Sequence, residues 1–332
     1  YYTHLRSEGD GLMDAVQEAI AIAEQAGTKL EIAHLKAMGR GNWGRIGEAI
    51  RLIEAAAARG VPAGVDAYPY TVAGITQGRL ASLLPPSIME GGVDGALQAL
   101  TGEGVRRRAE EMIEEAWREE GPSEMGANWV RMAGGPRGVV LTRVEGDENR
   151  ELVGKTLAEI AEAWGVSPAR AVVDLFVEER GRGSAVCHVI GEEDVETAVR
   201  SPLVGVGSDG HVGLKRALPE WALPHPRNYA TFPRVLAEYA RRRRAISLEE
   251  GVRKMTGLNA ERMGLTDRGR VADGCWADLV VFDPGQIDDR ASYLDPWQTA
   301  AGIRWVLVNG HIAAEDGRLT GVRAGQIVRR LR

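Results

Sequence analysis

Two histidines thirty positions apart and one distant aspartate are the residues of this chain best suited to chemistry. His4 sits in Thr3-His4-Leu5-Arg6-Ser7-Glu8, and His34 in Leu30-Glu31-Ile32-Ala33-His34-Leu35-Lys36. Far downstream, an apolar run ending at Val206 leads into Gly207-Ser208-Asp209-Gly210. Imidazole is a good ligand for Zn²⁺, and a carboxylate beside a metal can take a proton from water, so the set suits a mononuclear or dinuclear metal hydrolase. The interval is far longer than in compact zinc motifs. The weight therefore rests on position, because each residue stands at the end of a separate strand, His4 after a truncated one. Taken singly, each has a plainer reading. A buried neutral imidazole can be satisfied by a backbone carbonyl, and Ser-Asp-Gly favours a turn.

The elements that would carry these residues follow from periodicity. A helical pattern over 12–26, stopped by Gly27, precedes the apolar run 29–33 that ends at His34. A second helical pattern over 43–58, closed by Gly60, precedes the run 61–65 that ends in Asp66-Ala67-Tyr68-Pro69-Tyr70. Strand, loop, helix and strand at this interval predict successive βα units of a parallel sheet. A (β/α)₈ barrel places catalytic groups at the C-terminal ends of such strands, although an open doubly wound sheet has the same local pattern. Further on, 104–119 and 157–163 read as helices, and 129–132 and 138–144 as short strands. Ser167-Pro168 reads as a helix start, with proline at the first helical position. The segments 229–240 and 247–255 read as helices, the second with Ser247 and Glu250 spaced as a capping box. The tail turns β-rich at 276–282 and 303–309.

Composition narrows the function classes. The 332 residues are 44% hydrophobic and 27% charged, ordinary for a soluble globular protein, and suffice for one large core or two modest ones. A net charge of −6 gives no basic footprint for nucleic acid or an acidic membrane. The one dense basic run, Arg241 to Arg244, reads as a solvated helix end. Cys187 and Cys275 are too few for a disulfide framework or a cysteine-rich zinc site, and fit a reducing compartment. No apolar stretch reaches the roughly 20 residues of a membrane span. Nothing in the pattern specifies an oligomeric state.

The segments THLRSE, EIAHLK, DAYPY, LLPP, VGSDG, HPRNYATFPRVL, KMTGLNAERMGL, RGRVADGCWADLVVFDP and VNG occur in that order. Together they resemble the N-acyl-D-amino-acid deacylase (D-aminoacylase) branch of the amidohydrolase superfamily. The resemblance runs from Tyr1 to about Gly310 and weakens between about 90 and 182. It implies an α/β chain whose core is a (β/α)₈ TIM-like barrel, of which only the later strands are present. Residues 1–75 would be βα units five to seven, 76–183 an insertion or lid, 184–265 strand eight and its helices, and 266–332 part of a small β-sandwich. The first four strands, with a histidine motif and a metal-bridging cysteine, would precede Tyr1, so that the fragment alone would be inactive.

The resemblance also implies roles. His4 and His34 would bind one or two Zn²⁺ ions, with other ligands upstream of Tyr1. Asp209 would bind the activated water and carry its proton to the leaving nitrogen. Lys36, two residues beyond His34, would share its strand face and meet a substrate carboxylate, or simply be a surface lysine. Tyr68 would donate to the same carboxylate, and Arg227 would grip it bidentately, while Tyr70 would pack. Arg79 reads as a surface residue, with a contact to an acidic substrate side chain as the alternative. His188 and His211, near the strand-eight region, read as structural with a substrate contact as the alternative, and His311 reads as structural. The implied reaction is hydrolysis of a small N-acyl-D-amino acid to a carboxylate and a free D-amino acid, in the cytoplasm. Leu80, Leu83 and Leu84, placed on the pocket wall, would favour apolar side chains. The competing functions are another amidohydrolase, such as a dihydropyrimidinase-like cyclic-amide hydrolase or a dipeptidase, and a non-catalytic barrel remnant.

Overall fold

The computed structural model describes residues 1–74, 80–118 and 128–328, so Arg79 lies outside the described residues. In chain order its strands are Tyr2–Thr3 (β1), Leu30–Ile32 (β2), Ala63–Ala67 (β3), Val72–Gly74 (β4), Val139–Arg143 (β5) and Ser184–His188 (β6). Then come Val204–Val206 (β7), Leu279–Phe282 (β8), Ile303–Val308 (β9), His311–Glu315 (β10) and Arg318–Leu319 (β11).

β1, β2, β3 and β7 form one parallel sheet in that order, the arrangement expected of successive βα units. Helices Leu12–Ala26 and Ile46–Ala58 make the first two crossovers. Each shows an apolar stripe at helical spacing: Leu12, Val16, Ala19, Ile20 and Ala23 on the first, and Ile46, Ala49, Ile50, Ile53 and Ala56 on the second. The stripes bury Leu30, Ile32, Val65 and Val204 from one face of the sheet. Each buried Leu, Ile or Val contributes about 1.5–3 kcal/mol, so this layer is what holds the strand ends in register. The other face is polar. Alternation and register put Tyr2, Glu31, Gly64, Asp66 and Gly205 there. Arg262, from helix Gly257–Met263, reaches onto this face, pairing with Glu31 at 3.1 Å and donating to Val65 O at 2.8 Å. Burial lifts the Glu31 carboxyl to about 7 against the pull of the Arg262 charge.

Between β3 and β7 the chain builds a second unit on an antiparallel sheet ordered β4-β6-β5. This unit runs past residue 183, since Ser184–His188 pairs with both β4 and β5. Its helices include Glu103–Arg118, Leu157–Trp164 and Pro168–Glu178. A full capping box between Thr156 and Glu159 starts the second, and a Ser167 cap with proline in the first turn starts the third. The segment 129–132 is helical, within Asn128–Met132, rather than a strand. A four-residue apolar run has no period long enough to separate the two states. Leu80, Leu83 and Leu84 are buried in the core of this unit.

The second unit is tied to the loop after His34. Met38 bridges Ile190, and Trp43 Nε1 donates to Val189 O at 3.0 Å. The buried Asp194 carboxylate accepts from the backbone N–H groups of Gly44 and Ile46 at 2.9 and 3.1 Å, capping helix Ile46–Ala58 from a distant segment.

Helix Arg227–Arg234 contains Pro233 and continues as a π-helical stretch, Val235–Arg242. The basic run at its end is largely exposed, as a solvated helix end should be, and Arg241, Arg242 and Arg243 also hold partners. Arg241 donates to Pro284 O and Ile287 O, Arg242 pairs with Asp288, and Arg243 pairs with Glu192, Glu196 and Glu238. Ser247 caps the following helix by accepting from Glu250 N, but the Glu250 carboxylate turns to Arg253 instead of closing the box. The tail forms an antiparallel sheet ordered β11-β10-β9-β8, with Val280 and Val281 on β8 left 53% and 43% exposed.

Candidate metal centre

His4 and His34 meet at the C-terminal ends of neighbouring parallel strands. His4 Nδ1 lies 3.0 Å from His34 Nε2, with the rings edge to face. His34 holds a left-handed backbone conformation, φ 37°, which a non-glycine residue adopts at a cost of about 1–3 kcal/mol. Asp66 at the end of β3 accepts from the His34 backbone N–H at 2.9 Å. Glu8 completes a trio with the two histidines whose ligand atoms all lie within 4.8 Å of one another.

Glu8 touches His34 Nδ1 at 3.0 Å and also accepts from Lys36 Nζ. Burial would raise its carboxyl, but the Lys36 charge and the His34 contact outweigh that and hold it at about 2. Lys36 also donates to His34 O at 2.8 Å, with His34 Nδ1 at the same distance. His34 Nδ1 cannot donate to Glu8 and accept from Lys36 in the same tautomer. With the proton on Nδ1, shared with Glu8, the Nε2 lone pair is free to face His4 Nδ1. Burial lowers the His4 pKa and favours its neutral, ligating form. Two Zn–N bonds of 2.0–2.1 Å at a tetrahedral angle separate the nitrogens by about 3.3 Å, close to what is seen, so the donor set fits zinc.

Asp209 follows β7 and also holds a left-handed conformation, φ 46°. Its carboxylate pairs with Arg227 at 2.9 Å. The Asp209 charge acts on His4, Lys36 and Tyr68, which gathers the expected residues about one locus. The buried Tyr68 ring has two cations near it, with Lys36 Nζ 5.5 Å and Arg227 Cζ 5.1 Å from its centroid. Lys36 and Arg227, expected to be free for a substrate carboxylate, thus each hold a protein carboxylate in this state. Tyr70 packs as expected, its ring 5.0 Å from that of His225. His188 sits beside Tyr293, His211 bonds Asn228 only through its backbone N–H, and His311 is exposed on β10. The burial of Leu80, Leu83 and Leu84 in the core of the second unit removes them from any pocket wall.

Three residues of this locus were not singled out by the sequence reading: Glu8, Asp66 and His225. His225 Nε2 donates to Val72 O at 2.9 Å, and its Nδ1 accepts from Arg227 N at 3.0 Å, a neutral tautomer fixed at both ends. Burial, and next the Arg227 charge, push its pKa down to about 3. The unfolded chain takes up this proton from about pH 6.5 downward while the folded chain refuses it, so stability falls as pH drops from about 6.5 towards 3. At pH 5 the loss from this group is about 2 kcal/mol relative to pH 7. Denaturant midpoints of the wild-type and His225→Gln proteins at both pH values check this. The variant should lack that share of the acid loss, and an equal pH response in both would assign the loss elsewhere.

Residues 127–314, more than half of the chain, match the model of the amidohydrolase family, and the chain belongs to that family. Among characterised relatives, it is 34% identical over 330 residues to a D-aminoacylase of Alcaligenes xylosoxydans xylosoxydans, covering 99% of this chain and 54% of that protein. The structure of a D-aminoacylase with a binuclear metal centre superposes with a TM-score of 0.73 at 32% identity, covering 99% of this chain and 56% of that one. An N-acyl-D-glutamate deacylase from Bordetella bronchiseptica, complexed with zinc and a phosphonate mimic of the tetrahedral intermediate, gives 0.69 at 30% identity, covering 96% and 54%. The chain thus spans about half the length of the curated relatives it matches.

Proposed function

We propose that this chain carries part of the active site of a zinc-dependent amide hydrolase that releases a D-amino acid and a carboxylate from an N-acyl-D-amino acid. The observation that carries the reading is the convergence of His4 Nδ1 and His34 Nε2 at 3.0 Å, beside the Asp209–Arg227 pair. The four parallel strands are read as the later strands of a (β/α)₈ barrel. The antiparallel unit between β3 and β7 is read as an insertion over the site, β7 with the helices that follow it to about residue 265 as strand eight, and 266–332 as part of a β-sandwich. A cytoplasmic location is supported by two unbridged cysteines, Cys187 and Cys275. No helix of the described residues is long and apolar enough to cross a membrane.

His4 and His34 would hold zinc, one or two ions in all, with Glu8 fixing the His34 tautomer through Nδ1. Bound zinc supplies Lewis acidity, lowering the pKa of water and polarising a carbonyl oxygen. Asp209 takes the proton of the attacking water and returns it to the leaving nitrogen. Arg227 keeps the Asp209 carboxylate oriented until substrate arrives. Lys36 and Arg227 place positive charge on the Tyr68 ring, and the three together anchor the substrate α-carboxylate.

Chelation of the intact protein tests the metal requirement. Hydrolysis of N-acetyl-D-methionine should disappear after dialysis against a chelator and return on adding zinc. Undiminished hydrolysis by protein shown to be zinc-free would contradict the reading.

A further inference from the structure

We propose that Asp66 is the positioning residue of His34, holding the backbone of this candidate ligand in the turn from which its ring reaches His4. The inference rests on the reading of His34 as a zinc ligand and deepens it. β2 ends at Ile32, and two residues later the chain turns through a left-handed conformation at His34, φ 37°. Such a conformation persists in a histidine only where the surroundings fix it. Asp66 fixes it twice. Its side-chain Oδ1 accepts from His34 N at 2.9 Å, and its backbone oxygen accepts from Leu35 N at 2.8 Å. The last residues of β3 therefore grip the turn on either side of the His34 carbonyl.

The carboxylate is itself set in place. Oδ2 accepts from the Tyr2 hydroxyl at 3.1 Å, which leaves Oδ1 for His34. Across the sheet, Gly207 leaves room for it, because a Cβ there would lie 2.7 Å from Asp66 Oδ1. Glu8 governs which His34 nitrogen carries the proton, whereas Asp66 governs where the ring stands. The two act on different parts of the same residue, so their loss should be separable.

Zinc affinity of the intact protein, measured by competition with a chromophoric chelator, tests the assignment in Asp66→Ala and Asp66→Asn variants. His34→Ala serves as reference and thermal melting as the check on folding. Asp66→Ala should bind zinc about 10- to 100-fold more weakly at a preserved melting transition, the range for lost supporting contacts to a ligand. Asp66→Asn should stay within about threefold of wild type, because its amide oxygen accepts the same N–H bond. A folded Asp66→Ala protein with unchanged affinity overturns the inference. So does an Asn variant as weak as the Ala variant, since charge and not the backbone bond would then be the requirement. Where Asp66→Ala fails to fold, amide exchange at His34 in the metal-free wild type decides. Strong protection supports the bond, and exchange at the rate of an open loop overturns it. Full zinc binding by His34→Ala would overturn the inference too, but by removing the ligand reading beneath it, an outcome distinct from failure of Asp66 alone.

Discussion

Replacing Asp209 by asparagine should abolish hydrolysis while leaving the protein folded. The carboxylate sits after β7 in a left-handed turn, 2.9 Å from Arg227, and among the described residues no other acidic group shares that contact. An asparagine keeps the size and the turn preference, since both residue types tolerate this conformation. Its amide cannot accept the proton from an attacking water. Positioned acid–base groups contribute about 10²–10⁴-fold, so a fall of at least 10² in kcat is expected, with melting close to wild type. Arg227 loses its charged partner in this variant. Arg227→Lys, which keeps the charge but not the bidentate fork, should act mainly on KM. A near-normal kcat in Asp209→Asn would remove the residue from the chemistry.

His34→Ala should strip the centre of its metal. The variant removes one of the two converging imidazoles and also strands the buried pair beside it, because Glu8 then keeps Lys36 but loses the ring. Removing a partner from a buried charged network costs about 3–5 kcal/mol when an unpaired charge remains. Here the ion pair survives, so folding should persist while zinc is lost. Elemental analysis of the purified variant should show at least one zinc fewer per chain than wild type, with no measurable hydrolysis. Equal zinc content in both proteins would exclude His34 as an essential ligand.

The histidines were legible in the sequence as strand ends, His34 most clearly because it closes an apolar run and burial of one sheet face dictates where such a run stops. Asp209 was legible for the same reason. Glu8 lies within a segment that was noted, yet its part depends on how the loop after β1 carries its carboxylate to His34 Nδ1. No periodicity reports such a return. Asp66 was visible as a strand end, but its partner is a backbone N–H thirty-two residues away, which side-chain types cannot disclose. The helical pattern over 229–240 was read correctly in kind. Its widening into a π-helical stretch after Pro233 was not, because proline only removes a donor and the neighbours decide how the ladder re-forms. The acidic partners of Arg242 and Arg243 were not legible, because they lie in three separate segments. The leucines at 80, 83 and 84 were assigned to a pocket from proximity in sequence, and folding turned them into a core.

The central claim is that a metal centre built on His4 and His34 serves hydrolysis of N-acyl-D-amino acids. It is tested most directly by amino acid release from paired N-acetyl-D- and N-acetyl-L-leucine, methionine and glutamate, using zinc-loaded intact protein. Release from the D forms should exceed release from the L forms for every pair that reacts. A clear preference for glutamate would keep the reaction and change only the side-chain preference expected of it. Hydrolysis of the L forms at an equal or greater rate would contradict the account.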